Sequence, residues 1–65
     1  MNRNDTMAKA DAKVKRTWNA YRKADNLLID AYRAGKGIDA AERKAKSAHR
    51  NWQAASDEFF GLQIA

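Results

Sequence analysis

One period of seven runs through this chain and is broken once. Counting from Met7 gives Met7, Val14, Tyr21 and Leu28, and three residues after each come Ala10, Thr17, Ala24 and Ala31. Beyond Ala34-Gly35-Lys36-Gly37 the pattern resumes: Ile38, Ala45, Trp52 and Phe59 form one column, and Ala41, Ala48, Ala55 and Leu62 the other. A seven-residue apolar repeat belongs to α-helices that pack along a seam. No strand pattern produces it, because side chains on a strand alternate faces with a period of two. Each heptad offers one large and one small residue, so two backbones can approach closely while the large side chains fill the layers between.

The seam predicts an all-α protein with an antiparallel two-helix hairpin. Helix one spans about 5–34, the turn about 35–38 and helix two about 39–60. A short apolar tail, 61–65, follows. Alanine, the strongest helix former, supplies 14 of the 65 residues, and there is no proline. Gly35 suits the left-handed residue that closes a helix. Asp39 with Glu42 three later suits an N-cap and its partner. Asn4, Asp5 and Thr6 compete for the first N-cap, and Gly61 is the expected end of helix two. A connection of about four residues makes the helices antiparallel neighbours, with Tyr21 level with Trp52, Val14 with Phe59, and Ala24 near Ala48. The pattern resembles the Ala-seamed antiparallel coiled coils of some four-helix bundles.

Composition then decides how such a hairpin is stabilised. A chain of 65 residues is a single domain, 1–65, that buries only about 60% of its unfolded surface. Disulfides, a metal or oligomerisation are the usual remedies. With no Cys and one His, the first two are not expected. The apolar residues also outnumber the places one seam provides. Trp18 and Tyr32 flank it on one side, Ala20, Leu27 and Ala34 on the other, and Ile29 points further out. Helix two adds Ala40, Ser47 and Ala54 beside the seam, with Phe60 and Ile64 away from it. An apolar stripe this wide suits two neighbours rather than one. The expectation is a homodimer, two hairpins forming a four-helix bundle.

The same residues argue against catalysis. An active site needs a nucleophile, a base or a metal held in a pocket. Around His49, the helical neighbours Ala45, Lys46, Trp52 and Gln53 include no carboxylate, and Ser56 lies about 10.5 Å along the axis. Asp57 and Glu58 are adjacent and diverge by about 100° on a helix. Dinucleotide, phosphate-loop and zinc-protease motifs are absent. The chain is therefore expected to be no enzyme, with no cofactor, no metal and no small-molecule substrate. The polar start, Met1-Asn2-Arg3-Asn4-Asp5, is not followed by a secretory apolar core, and no run reaches the roughly 20 residues of a membrane span. A cytoplasmic protein is the default expectation.

What remains is binding, and charge is the guide. The net charge is +5, from 13 Lys and Arg against 8 Asp and Glu. Lys9, Arg16 and Lys23 lie on one heptad line of helix one, with Lys15 and Arg22 on the adjacent line. Asp11 is placed to pair with Lys15 at i,i+4. Arg43, Lys46 and Arg50 cluster in the first half of helix two. These eight cations are the candidate partner-binding face, and Ile29, Phe60 and Ile64 are candidate apolar contacts. A protein partner is the favoured expectation, because aromatic and Arg side chains anchor interfaces and a positive field steers toward acidic surfaces.

The alternative is RNA or other nucleic acid, with phosphates on the cations and Trp18, Tyr21 and Tyr32 interleaved among them. Two helices, a short turn, a dimeric bundle and a basic face together resemble the format of the small plasmid RNA modulators of the Rop type. That resemblance covers architecture, carries no specific motif, and implies RNA binding. Small helical proteins of this format are also carried as regulators by phages and plasmids. A membrane-surface role is less favoured, because acids interrupt the basic faces and the Ala-rich seam suits helix packing. Arg16-Thr17-Trp18-Asn19-Ala20 resembles Arg50-Asn51-Trp52-Gln53-Ala54, but Trp18 stands beside the heptad seam and Trp52 on it, so chance explains the likeness better than duplication.

Overall fold

A computed structural model describes residues 3–64, with side chains for 4–63. Two helices account for nearly all of it: α1, Arg3–Ala34, and α2, Ile38–Ile64. They pack against each other along their length as an antiparallel hairpin of 49 × 14 × 14 Å. There is no strand among the described residues.

The seam lies where the seven-residue columns place it. All sixteen column positions are buried or half-buried, eight on each helix. The two kinds of column behave differently. The four buried hydrophobic residues are Ala10, Ala24, Ala45 and Ala55, and all but Ala45 belong to the small columns. The large residues Met7, Val14, Tyr21, Leu28, Ile38, Trp52 and Phe59 are each only half-buried. Alanine thus lets the backbones close on one another and forms the driest layer, while the larger side chains lean out to one side. Thr17 is the polar member of a small column. Its hydroxyl donates back to the carbonyls of Lys13 at 2.8 Å and Val14 at 3.0 Å, which satisfies it within the helix.

The turn is set by two glycines. Gly35 has φ +70° and Gly37 +72°, left-handed values that L side chains adopt only at a cost. The Lys36 N–H donates to the Ala31 carbonyl at 3.3 Å and the Gly35 N–H to that of Tyr32 at 3.3 Å. This is the Schellman arrangement that closes a helix, and Gly35 also reaches the Ala31 carbonyl at 2.9 Å. The Gly37 carbonyl then accepts the Ala41 N–H at 3.1 Å and opens α2.

Three expected helix ends need correction. Gly37, not Asp39, holds the N-cap position of α2, because its carbonyl takes the first helical bond. Asp39 sits inside the first turn, where its charge still meets the positive helix end. Glu42 is engaged by Tyr32 instead of serving as a reciprocal cap. On α1, Asn4, Asp5 and Thr6 lie within the helix, with Asp5 as the first-turn acid. Gly61 does not end α2, which continues through residues 61–64 to Ile64. A helical Gly costs about 1 kcal/mol relative to Ala, and the half-buried Leu62, last of the seam column, helps offset it.

Candidate partner-binding surfaces

The hairpin has two long edges of different character. One is organised by four rings. Trp18 approaches Trp52 with centroids 5.0 Å apart, and Tyr21 stacks on Trp52 at 6.2 Å. His49 lies 5.1 Å from Tyr21 and 5.8 Å from Trp52, edge-on and tilted. Trp18 and Tyr21 complete the cluster at 5.8 Å. The expected level pairing of Tyr21 with Trp52 is present, and Trp18 joins it from the flank. Trp18 is 40% exposed while Trp52 is half-buried, so the two Trp-centred segments do not share one environment. His49 serves as an aromatic neighbour, and no group of His, Asp or Glu among the described residues is arranged to hold a metal.

Helical rotation extends this edge. Ile29 follows Trp18, and Phe60 follows His49, by eleven residues, about three full turns, so each returns to the same side. Tyr32 belongs there too, since its hydroxyl donates to Glu42 Oε1 at 2.7 Å across the hairpin. Ile29 is 44%, Tyr32 58% and Phe60 59% exposed. Of the five exposed large hydrophobic residues among those described, only Leu27 lies elsewhere, nine residues or about 180° from Trp18. It borders a shallow hollow on the opposite edge with Ala31, Ala34, Ala40 and Lys44. Ile29 and Phe60 are thus exposed together with Trp18 and Tyr32, which the candidate apolar set left out. The Ile64 side chain lies outside the described residues.

The Tyr32–Glu42 contact shifts the titration of the phenol. Accepting the hydroxyl's hydrogen bond, the Glu42 carboxylate holds the Tyr32 phenol above its ordinary 10.0, aided by its negative charge. A phenol raised on folding stabilises the fold fully below its unfolded value of about 10, and that stabilisation is lost as pH rises through the folded value. Glu42→Gln is therefore expected to bring the Tyr32 titration back toward its ordinary value. Phenolate absorbance in a Tyr21→Phe background reads it, and an unchanged midpoint would show that the contact is absent in solution.

All eight candidate cations are exposed, and they do not converge on one face. Lys9 and Arg16 border a hollow on the Leu27 edge with Lys13 and Glu58. Lys46 and Arg50 border the ring cluster beside Tyr21 and His49. Arg22 and Lys23 line a hollow on α1 alone with Asn19 and Asn26. Arg43 stands at the turn beside Lys36 and Asp39. Lys15 pairs with Asp11 at 3.0 Å, as the i,i+4 spacing predicts. Lys13, outside the candidate set, crosses the hairpin to Glu58 at 3.3 Å. Both pairs are solvent-exposed and worth little individually.

Fold and surface together define an antiparallel helical hairpin with an Ala-lined seam, a half-covered aromatic edge and divided cations. No helix is long and apolar enough to cross a membrane among the described residues. In comparisons with known proteins, the chain matches no family, no curated protein and no solved structure.

Proposed function

We propose that this chain is a small non-enzymatic binding protein that works as a homodimeric four-helix bundle and acts by modulating a larger protein. The observation that carries the reading is the state of the large seam column. Met7, Val14, Tyr21, Leu28, Ile38, Trp52 and Phe59 are all half-buried, and no side chain larger than alanine is buried among the described residues. A helix pair in this condition has one neighbour where its apolar stripe is wide enough for two.

A protein partner is favoured over RNA by the division of the cations. A phosphate backbone rewards cations in line along its track. Here they are split between two edges and the turn, with Asp11 and Glu58 set among them. An acidic protein surface needs only a local patch, and Arg22 with Lys23 on the free side of α1 is one.

Mobility shift with total RNA and duplex DNA, at about 50 mM and about 200 mM salt, tests the partner class. No shift is expected, and an affinity-tagged chain should retain a protein that the Arg22→Glu, Lys23→Glu variant releases. A shift at the lower salt that collapses at the higher would replace this reading with nucleic-acid binding.

A further inference from the structure

We propose that the second copy docks on the edge carrying Trp18, Ile29, Tyr32 and Phe60, leaving the Leu27 edge and the outer basic faces for other partners. This rests on the dimer reading above and assigns its surface.

A compact globule of 7.3 kDa exposes about 4,200 Å². This hairpin exposes 5075 Å². The surplus, about 900 Å², is close to the roughly 800 Å² that each partner contributes to a stable interface of standard size.

Phe60 stands toward the open end of the hairpin, Trp18 and the ring cluster near its middle, and Ile29 and Tyr32 toward the turn. At about 1.5 Å per residue, and with Tyr21 level with Trp52, Phe60 and Ile29 each lie about 12 Å from that level, in opposite directions. The apolar contacts therefore span the length over which a second hairpin would lie. The half-buried Tyr21 and Trp52 lean to this edge as well, because both touch Trp18. Covering it would complete the burial of the seam rather than add a separate patch.

Rotation from Trp18 and His49 places Asp11, Asp25 and Glu42 within about 20° of this edge and Lys15, Arg22, Arg33 and Lys46 along its outer rim at about 40–60°, three acids against four bases. A chain of net charge +5 thus presents a nearly balanced strip, acidic at its centre, and most of its surplus of cations lies elsewhere. Two such strips meet with little net repulsion, whereas an acidic partner gains more on the cationic faces.

The test first measures the mass of the unmodified chain by sedimentation, then that of Ile29→Glu, Phe60→Glu and Leu27→Glu, with helicity checked by circular dichroism. The first two variants should weaken the dimer at least 100-fold, and the third should leave it within about threefold. Because the chain has no Cys, single-cysteine variants provide a gentler readout that does not depend on how the copies are oriented. Ile29→Cys and Phe60→Cys should react with a thiol reagent at least tenfold more slowly at dimer concentrations than after dilution, and Leu27→Cys equally fast at both. Protection at Leu27→Cys, or at none of the three in a chain that does dimerise, would overturn this surface and leave the dimer standing. An unmodified chain that stays monomeric would overturn both.

Discussion

Ala55→Leu is expected to lower the thermal midpoint by about 10–20 °C, the shift that roughly 2.5 kcal/mol of overpacking makes in a domain this small. Ala55 is 1% exposed, the most buried residue among those described. It lies on a small column, where the helix backbones approach and a branched side chain has no layer to enter. The neighbouring Ala54 is exposed and provides an internal control of the same residue type on the same helix. Ala54→Leu should change stability by no more than about 0.5 kcal/mol. Thermal melts of the two variants by circular dichroism make the comparison. Equal melts would mean that the close-packed alanine seam does not hold the hairpin together.

The second large effect belongs to Trp52. Like Tyr21, it touches all three other rings of the cluster, and it is the larger of the two, so its loss opens the aromatic layer. Truncating a packed Trp costs about 3–5 kcal/mol in a core, and Trp52 is half-buried, so about 3 kcal/mol is expected. A chain of this size has total stability of the order of 3–10 kcal/mol. Trp52→Ala should therefore lose a cooperative melt or nearly so, and the remaining Trp18 fluorescence should shift to the red. A midpoint within about 5 °C of the unmodified chain would place the stabilising contacts elsewhere.

The seam was legible in the sequence because a period of seven survives any uncertainty about helix ends. Every one of the column residues from Met7 to Leu62 is at least half-buried, and the level pairing of Tyr21 with Trp52 follows from turn length alone. The ends were less legible. Gly61 looks like a stop when only propensity is weighed, but a helix continues when the residue beyond it, here Leu62, still has a seam to pack on. Asp39 looks like a cap until the turn is seen to use Gly37, whose left-handed φ places its carbonyl at the start of α2.

The surface was the least legible. Heptad lines order cations along one helix but do not say which flank of α1 meets which flank of α2. Arg16 and Arg22 look close in a list, yet they are about 120° apart around the helix. The contacts that reveal the edges, Trp18 with Trp52, Tyr32 with Glu42, and Lys13 with Glu58, each join residues distant in sequence. Exposure of large apolar residues mattered more than charge once those edges were known. Ile29 and Phe60 were recognisable as surplus to the seam, whereas Trp18 and Tyr32 became part of the same strip only through the packing.

One hairpin leaves its large seam residues half-covered, and we propose that a second copy covers them. Sedimentation equilibrium on the unmodified chain, at concentrations on the order of tens of micromolar, tests it most directly, since a dimer is linked to protomer concentration. The expected mass is twice the 7.3 kDa of one chain, falling toward that value on dilution. A single species of 7.3 kDa across the whole range would contradict it.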